Sequence, residues 1–348
     1  MSQTASRIGF SQDRAVTGPH VATVIFVVMM LSAASIAFAT YLATPGDSSG
    51  DAPLALIPDP TATGDVALAA PQTDTSDWDM APEISAESVY VIDSSTGEVL
   101  YALNETEERA VASTVKIMTA LVVADYVETD EEIEVVDTDL VDTFVYSNMA
   151  LVSGDTLTVE QLLTGLLIPS GSDGALALAR HTGAVIDPDS DDPEAVFVEA
   201  MNTKAEQLGM THSRFSNPDG NDDGDAYSSA QDIAIAGAEL IRNPLLADIV
   251  SRPSYAFTSV GPEAREYAGT STNKLLTDGD PGVLGIKTGS TEEAGGCLVL
   301  AQDVSTSDGP VVIAMLGSDL TYLDGYIDVD TRWADTRALI EWLETRRS

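Results

Sequence analysis

The chain has 348 residues, 44% of them apolar, enough for one large domain or two ordinary ones. Fifty-six acidic residues against sixteen Lys and Arg give a formal net charge of −40. Such a surface suits an exported or salt-tolerant protein, and it repels phosphate backbones, which excludes nucleic acid as a partner. The single cysteine, Cys297, excludes an intrachain disulfide and a thiolate metal site.

Residues 1–20 are polar, and 21–43 carry no charged side chain. That length suffices for a membrane-spanning helix, while Ala37-Phe38-Ala39 is a small-residue site of the kind cut in secretory signals. Anchor and cleaved signal both remain open, and both put the bulk of the chain outside the cytoplasmic membrane. No cysteine is available here for a lipid anchor. Residues 44–84 hold eight acids, six prolines and no Lys or Arg, the composition of a disordered acidic linker. The remainder, 85–348, is expected to be the folded domain.

In chain order, Ser88–Asp93 and Glu98–Leu103 are apolar-rich runs joined by Ser-Ser-Thr-Gly, a hairpin signal. A helix is expected from near Ser113 through the apolar run ending at Val123. Thr158-Val159-Glu160-Gln161 is a capping box, opening a helix to Leu167. Pro169-Ser170-Gly171 interrupts, and helices follow from Ser172 to His181, Glu194 to Leu208 and Ser229 to Arg242. Between the last two, Asn217-Pro218-Asp219-Gly220 is all turn signals. Five strand-like runs come next: Tyr255–Val260, Glu266–Ser271, Val283–Thr288, Leu298–Asp303 and Val311–Gly317. A final helix, Thr331–Arg346, buries Trp333, Ala334, Leu339, Ile340 and Leu343. Strands at both ends with helices between imply an α+β fold: one antiparallel sheet from the N- and C-terminal parts, flanked by helices, with an inserted, mostly helical lobe.

The chemistry centres on Ser113-Thr114-Val115-Lys116. On a helix, Ser113 and Lys116 share a face, so hydroxyl and amine can meet as nucleophile and base. Lysines number only four, Lys116, Lys204, Lys274 and Lys287, and lysine, unlike arginine, can lose its proton when buried. A second Ser-x-x-Lys, Ser271 to Lys274, runs into Leu-Leu-Thr-Asp-Gly-Asp-Pro-Gly. It is set aside because that sequence is not expected to be helical. Ser170-Gly171-Ser172 lies on the break between two helices. Lys287-Thr288-Gly289 ends a strand: Lys287 offers charge and Thr288 a hydroxyl for a carboxylate, and Gly289 permits close approach. Three histidines leave His181 and His212 as the sole candidates for a triad or an imidazole site. Asp219-x-Asn221-x-Asp223-Gly224 matches half a calcium loop, but position twelve is Ala230 rather than Glu. The cluster Asp187, Asp189 and Asp191 likewise reads as turn chemistry. No metal and no cofactor is expected.

The order Ser-x-x-Lys, Ser-Gly-Ser, Lys-Thr-Gly resembles the serine D-alanyl-D-alanine carboxypeptidases of the penicillin-binding-protein superfamily. The resemblance extends over 85–348 through Leu208-Gly209-Met210, Phe215-x-Asn217-Pro218-Asp219-Gly220, Tyr227-Ser228-Ser229-Ala230-Gln231-Asp232 and Gly285 to Gly295. It implies a nucleophilic Ser113, Lys116 as its base and Ser170 as a proton shuttle. Ser172, Lys287, Thr288, Gly289 and Ser290 would bind substrate, and the backbone N–H groups of Ser113 and Ser290 would form an oxyanion hole. Arg332, by resemblance, falls where members place a carboxylate-binding arginine. The implied partners are peptidoglycan stem peptides ending in D-Ala-D-Ala, β-lactam antibiotics and, through the N-terminal segment, the cytoplasmic membrane.

One departure stands out: the family's middle motif usually ends in asparagine, and here that position is Ser172, with one donor instead of two. The chain also ends soon after its final helix, without the C-terminal β-rich domain many members carry, so an N-terminal anchor would take over tethering. A class A β-lactamase shares the motif order but needs a deacylating Glu in Glu-x-x-Leu-Asn, for which Glu239 to Asn243 and Glu206 are poor matches. A degenerate penicillin-binding protein that only binds wall peptides is the second alternative, motivated by Ser172.

Overall fold

The structure, a computed structural model, describes residues 78–222, 226–261, 263–323 and 326–346. The expected anchor or signal, 21–43, lies outside them, as does most of the linker. Among the described residues no helix is long and apolar enough to cross a membrane.

Strands β1 (Ser88–Asp93) and β2 (Val99–Leu103) form the expected hairpin. Its turn is fixed by the Asp93 carboxylate, which accepts from Ser95 N, Thr96 N and Ser95 Oγ. After α1 (Lys116–Tyr126), the short strands β3 (Glu132–Glu134) and β4 (Thr156–Thr158) pair with each other. Helix α2 (Val159–Leu167) opens on the expected capping box, Thr158 Oγ1 accepting from Gln161 N and the Gln161 side chain accepting from Thr158 N. Helix α3 (Ser172–Ile186) runs past His181 to end at Ile186. Helix α4 (Pro193–Leu208) starts at the Asp192 cap and closes on Gly209, whose φ of +74° glycine adopts without strain.

Helix α5 (Ala230–Arg242) is capped by Ser229, and α6 (Pro244–Val250) follows at once behind the Asn243 cap. Strands β5 (Ser254–Thr258) and β6 (Glu266–Thr270) form a separate hairpin rather than joining the main sheet. A helix of five residues, α7 (Lys274–Asp278), leads into β7 (Val283–Thr291), β8 (Gly295–Gln302) and β9 (Val311–Ser318). The hairpin of β10 (Leu320–Leu323) and β11 (Tyr326–Asp330) precedes α8 (Arg332–Thr345).

The main sheet has the order β2-β1-β9-β8-β7, antiparallel throughout, joining both ends of the chain as expected. Alternation along each strand sorts its side chains between two layers. Tyr90, Ile92, Val299, Ala301, Val312 and Ala314 face the helical lobe, where Ile117, Leu166 and Ile233 belong to the same core. Val89, Val91, Leu298, Leu300, Ile313 and Met315 face α8 through Trp333, Leu339 and Leu343. Helix α8 buries Arg332 and Thr336 in place of the expected Ala334, which is exposed; the Thr336 hydroxyl donates to Arg332 O (2.6 Å). Residues 78–84, assigned by composition to the linker, pack on this second layer, with the Trp78 ring edge-on to Tyr101 at 5.7 Å.

Candidate active site

Ser113 lies in a single 3-10 turn, Ala112–Val115, and the α-helix begins only at Lys116. The tight turn still brings Lys116 Nζ to 3.0 Å from Ser113 Oγ. The same amine reaches Ser172 Oγ at 3.3 Å and Asp219 O at 2.5 Å. Lys116 is fully buried, and burial pulls its pKa down to about 8, with Asp219 and Asp173 opposing the fall. As a neutral amine it keeps two N–H bonds, enough for Asp219 O and Ser172 Oγ, and turns its lone pair toward the Ser113 proton.

Lys287 is also buried, and its amine donates to Ser170 Oγ (2.8 Å) and Thr288 O (2.7 Å). Burial first, then the charges of Lys116 and Arg332, push its pKa well below that of a free lysine. Lys287 thus resists taking up charge beside a charged Lys116. The structure thus gathers Ser113, Lys116, Ser170, Ser172, Lys287 and Thr288. It ties Ser172 to Lys116 and Ser170 to Lys287; among the described residues no hydrogen bond joins Ser170 to Ser113.

Strand β7 runs against the nucleophile turn. A Cβ on Gly289 would stand 2.8 Å from Val111 O and 3.1 Å from Ser113 N. Gly289 therefore permits the strand's approach to the protein's own turn. From the other side Gly220 meets that turn, where a Cβ would come to 2.0 Å from Ala112 O. Backbone strain concentrates here: Ala112 (φ 48°) and Ser170 (φ 68°) are non-glycine residues in the left-handed region, at roughly 1–2 kcal/mol each. Ser170-Gly171 is held by Gly171 N donating to Gly165 O (2.9 Å). Buried Asp173 accepts from Met149 N, Leu151 N and Gly174 N, which fixes the start of α3.

Arg332 reaches the site with all five N–H bonds in use. Its guanidinium clamps Asp330 through Nε and Nη2, donates to Gly289 O (2.7 Å) and Cys297 O (3.1 Å), and to Ser290 Oγ (2.8 Å). In this arrangement it orients the end of β7, and no donor is left over for a ligand. Ser290 itself is exposed. Cys297, in β8, is fully buried, and burial raises its thiol to about 11, which leaves it inert.

Candidates set aside in the sequence fall elsewhere. Lys274 opens α7, so the stretch is helical for one turn, contrary to expectation. Ser271 precedes that turn, and the Lys274 amine stands 5.8 Å over the Trp333 ring. His181 contacts Glu131 (3.2 Å), and His212 lies 3.9 Å from Glu108. Glu239 is on α5, paired with Arg242 (3.1 Å). Sequence reading missed the carbonyl of Asp219 as a lysine acceptor, Asp173 and Asp330 as supports, and Thr272, whose hydroxyl lies 2.6 Å from that of Thr288. The Asn-Pro-Asp-Gly turn and the position of Asp173 beside Ser172 were the signals available.

A serine in contact with a buried lysine of lowered pKa, with a second buried lysine on the edge strand of the sheet, is the side-chain set of a serine hydrolase. The chain belongs to the D-alanyl-D-alanine carboxypeptidase family of serine peptidases, whose family model matches residues 75–319. It is 31% identical over 271 residues to D-alanyl-D-alanine carboxypeptidase DacA of Haemophilus influenzae, covering 75% of this chain and 62% of that protein. It is 33% identical over 241 residues to the D-alanyl-D-alanine carboxypeptidase of Streptomyces sp. K15, covering 67% of this chain and 80% of that one. The chain thus spans less than two thirds of the Haemophilus relative. The crystal structure of the Streptomyces K15 DD-transpeptidase superposes with a TM-score of 0.67 at 30% identity, covering 76% of this chain and 98% of the other. A Mycobacterium tuberculosis D-alanyl-D-alanine carboxypeptidase gives 0.63 at 29%, covering 75% and 92%.

Proposed function

We propose that this chain is a serine D-alanyl-D-alanine carboxypeptidase that removes the terminal D-Ala of peptidoglycan stem peptides through an acyl-enzyme. The observation that carries it is the 3.0 Å contact between Ser113 Oγ and the buried Lys116 amine. Neutral Lys116 takes the Ser113 proton as Oγ attacks the penultimate D-Ala carbonyl. The backbone N–H groups of Ser113 and Ser290 stabilise the oxyanion. Ser170, held by Lys287, passes its proton to the departing D-Ala nitrogen and recovers one from the Lys116 ammonium, which is then neutral again before water attacks. Water then cleaves the ester, its proton returning through Lys116. Thr288 and Lys287 hold the substrate carboxylate, Arg332 acting on it through Ser290. β-Lactams, which relatives in this family bind, acylate Ser113 by the same route.

Ser172 takes the asparagine's place on Lys116 with a single long contact of 3.3 Å, so it supports the base but orients substrate less firmly. The uncharged length of 21–43 supports a placement outside the cytoplasmic membrane, anchored there or released by cleavage, with 44–77 as spacer to the catalytic domain.

The test is D-Ala release from a pentapeptide ending in D-Ala-D-Ala by wild type, Ser113→Ala and Ser172→Asn. Release by wild type, its loss in Ser113→Ala and a faster rate in Ser172→Asn are expected. No release by the wild type overturns the reading. Rapid turnover of penicillin in place of stoichiometric acylation would make the chain a β-lactamase, and acylation without D-Ala release a wall-binding relative.

A further inference from the structure

Thr272, in the turn between β6 and α7, has no role in the scheme above, yet its hydroxyl lies 2.6 Å from that of Thr288. We propose that Thr272 is a positioning residue that aims the Thr288 hydroxyl at a free C-terminal carboxylate, and so selects carboxyl-terminated peptides over amidated or internal ones. The inference rests on the carboxypeptidase reading.

Each hydroxyl carries one hydrogen, so only one of the pair can donate to the other. A carboxylate is acceptor-only; when it arrives, the Thr288 hydrogen must turn to it. The Thr288 oxygen can then accept, and Thr272 is the donor already in range. With a C-terminal amide, whose NH2 donates, the Thr288 oxygen can serve as acceptor and the advantage of the fixed direction disappears. Thr272 is exposed, whereas Thr288 is 7% exposed, so Thr272 stands on the open side of the group it orients. Its backbone N–H donates to Ile168 O (3.2 Å), two residues before Ser170. One residue therefore ties the loop that carries Ser170 to the strand that carries Lys287 and Thr288.

The experiment uses the full chain as wild type, Thr272→Val and Thr272→Ser, with a peptide ending in D-Ala-D-Ala and the same peptide as its C-terminal amide. In Thr272→Val, KM for the free acid is expected to rise about tenfold, as for loss of one hydrogen bond. The expected changes elsewhere are small: kcat and turnover of the amide within about twofold, and Thr272→Ser close to wild type. Thermal melting of each variant separates these effects from unfolding. Equal losses on acid and amide, or no loss on either, overturn the proposal. Should wild type release no D-Ala, the same variants are read by the acylation rate with a fluorescent penicillin against its methyl ester. An acid-selective loss there upholds Thr272 while the carboxypeptidase reading falls, and absence of acylation overturns both.

Discussion

Lys116 meets three acceptors, Ser113 Oγ, Ser172 Oγ and Asp219 O, which is the full complement of an ammonium. Only the neutral amine can accept the Ser113 proton, so the form that satisfies all three contacts is the inactive one. Burial brings the change between the two forms to about pH 8. Below that value the neutral fraction falls tenfold per pH unit, and above it the fraction saturates. Acylation by penicillin under second-order conditions is therefore expected to climb from pH 6 to 8 and level off beyond, as followed by stopped-flow fluorescence. A rate flat across that range would show that Lys116 is not the titrating base. The lysine pair is coupled, so the observed midpoint belongs to both. Arg332 poses a different test at the same scale. Lysine has three donors on one nitrogen and cannot hold Asp330, Gly289 O, Cys297 O and Ser290 Oγ together. Arg332→Lys is expected to lower kcat/KM by about 10- to 100-fold, as for removal of an oxyanion-type support. A variant within twofold of wild type would exclude an action through Ser290.

Among the elements, the contact between β7 and the Ala112–Val115 turn depends on Gly289. Gly289→Ala places a methyl group 2.8 Å from Val111 O, so strand and turn must separate by some tenths of an ångström. The expected outcome is a loss of acylation of about 100-fold or more, since small misplacements at the reacting centre have effects of that size, with a melting temperature lowered by only a few degrees. Unchanged acylation would show that the turn tolerates displacement. The contrast between this glycine and its neighbours explains what was legible in the sequence. Helices α2, α4 and α5, whose ends carry caps or a glycine, and strands β1, β2, β7, β8 and β9 could be read from their apolar patterns and punctuation, and α1 from its continuous apolar run. Elements of three to seven residues, β3, β4, α6 and α7, are shorter than the windows over which period can be detected. The β10–β11 hairpin had a signal that went unused, an Asp-Gly pair between two β-rich runs. In the site, side-chain types in order pointed to Ser113, Lys116, Ser170, Lys287 and Thr288. The Asp219 carbonyl was marked only by its place in the Asn-Pro-Asp-Gly turn, since every residue has a carbonyl. The left-handed Ala112 and Ser170 were illegible because neither residue type favours that region. Thr272 lay inside a Ser-x-x-Lys match set aside because the sequence that follows it was not expected to be helical.

For the whole molecule, the formal charge of −40 and the buried site act on different ranges. Arg332 is paired with Asp330, and burial lowers the pKa of both Lys116 and Lys287, so the pull of this buried site on a carboxylate is short-range and little screened. The acidic surface repels an anionic peptide over distances that salt does screen, with a Debye length of about 10 Å at 0.1 M. On the proposed function the substrate is a peptide with free carboxylates, and its approach is slowed by that field. Raising NaCl from about 0.01 to 0.5 M, across which the screening length falls from roughly 30 Å to a few ångströms, is thus expected to raise kcat/KM for an acidic peptide while leaving kcat unchanged. A neutral acyl-D-Ala-D-Ala substrate, with a single carboxylate, should respond less. The same screening relieves self-repulsion of the acidic surface, so the melting temperature should climb over that range as well. A kcat/KM that falls with salt would mean that the buried lysines and Arg332 project an attractive field beyond the cleft. Substrate capture would then be governed by the site instead of the surface that surrounds it.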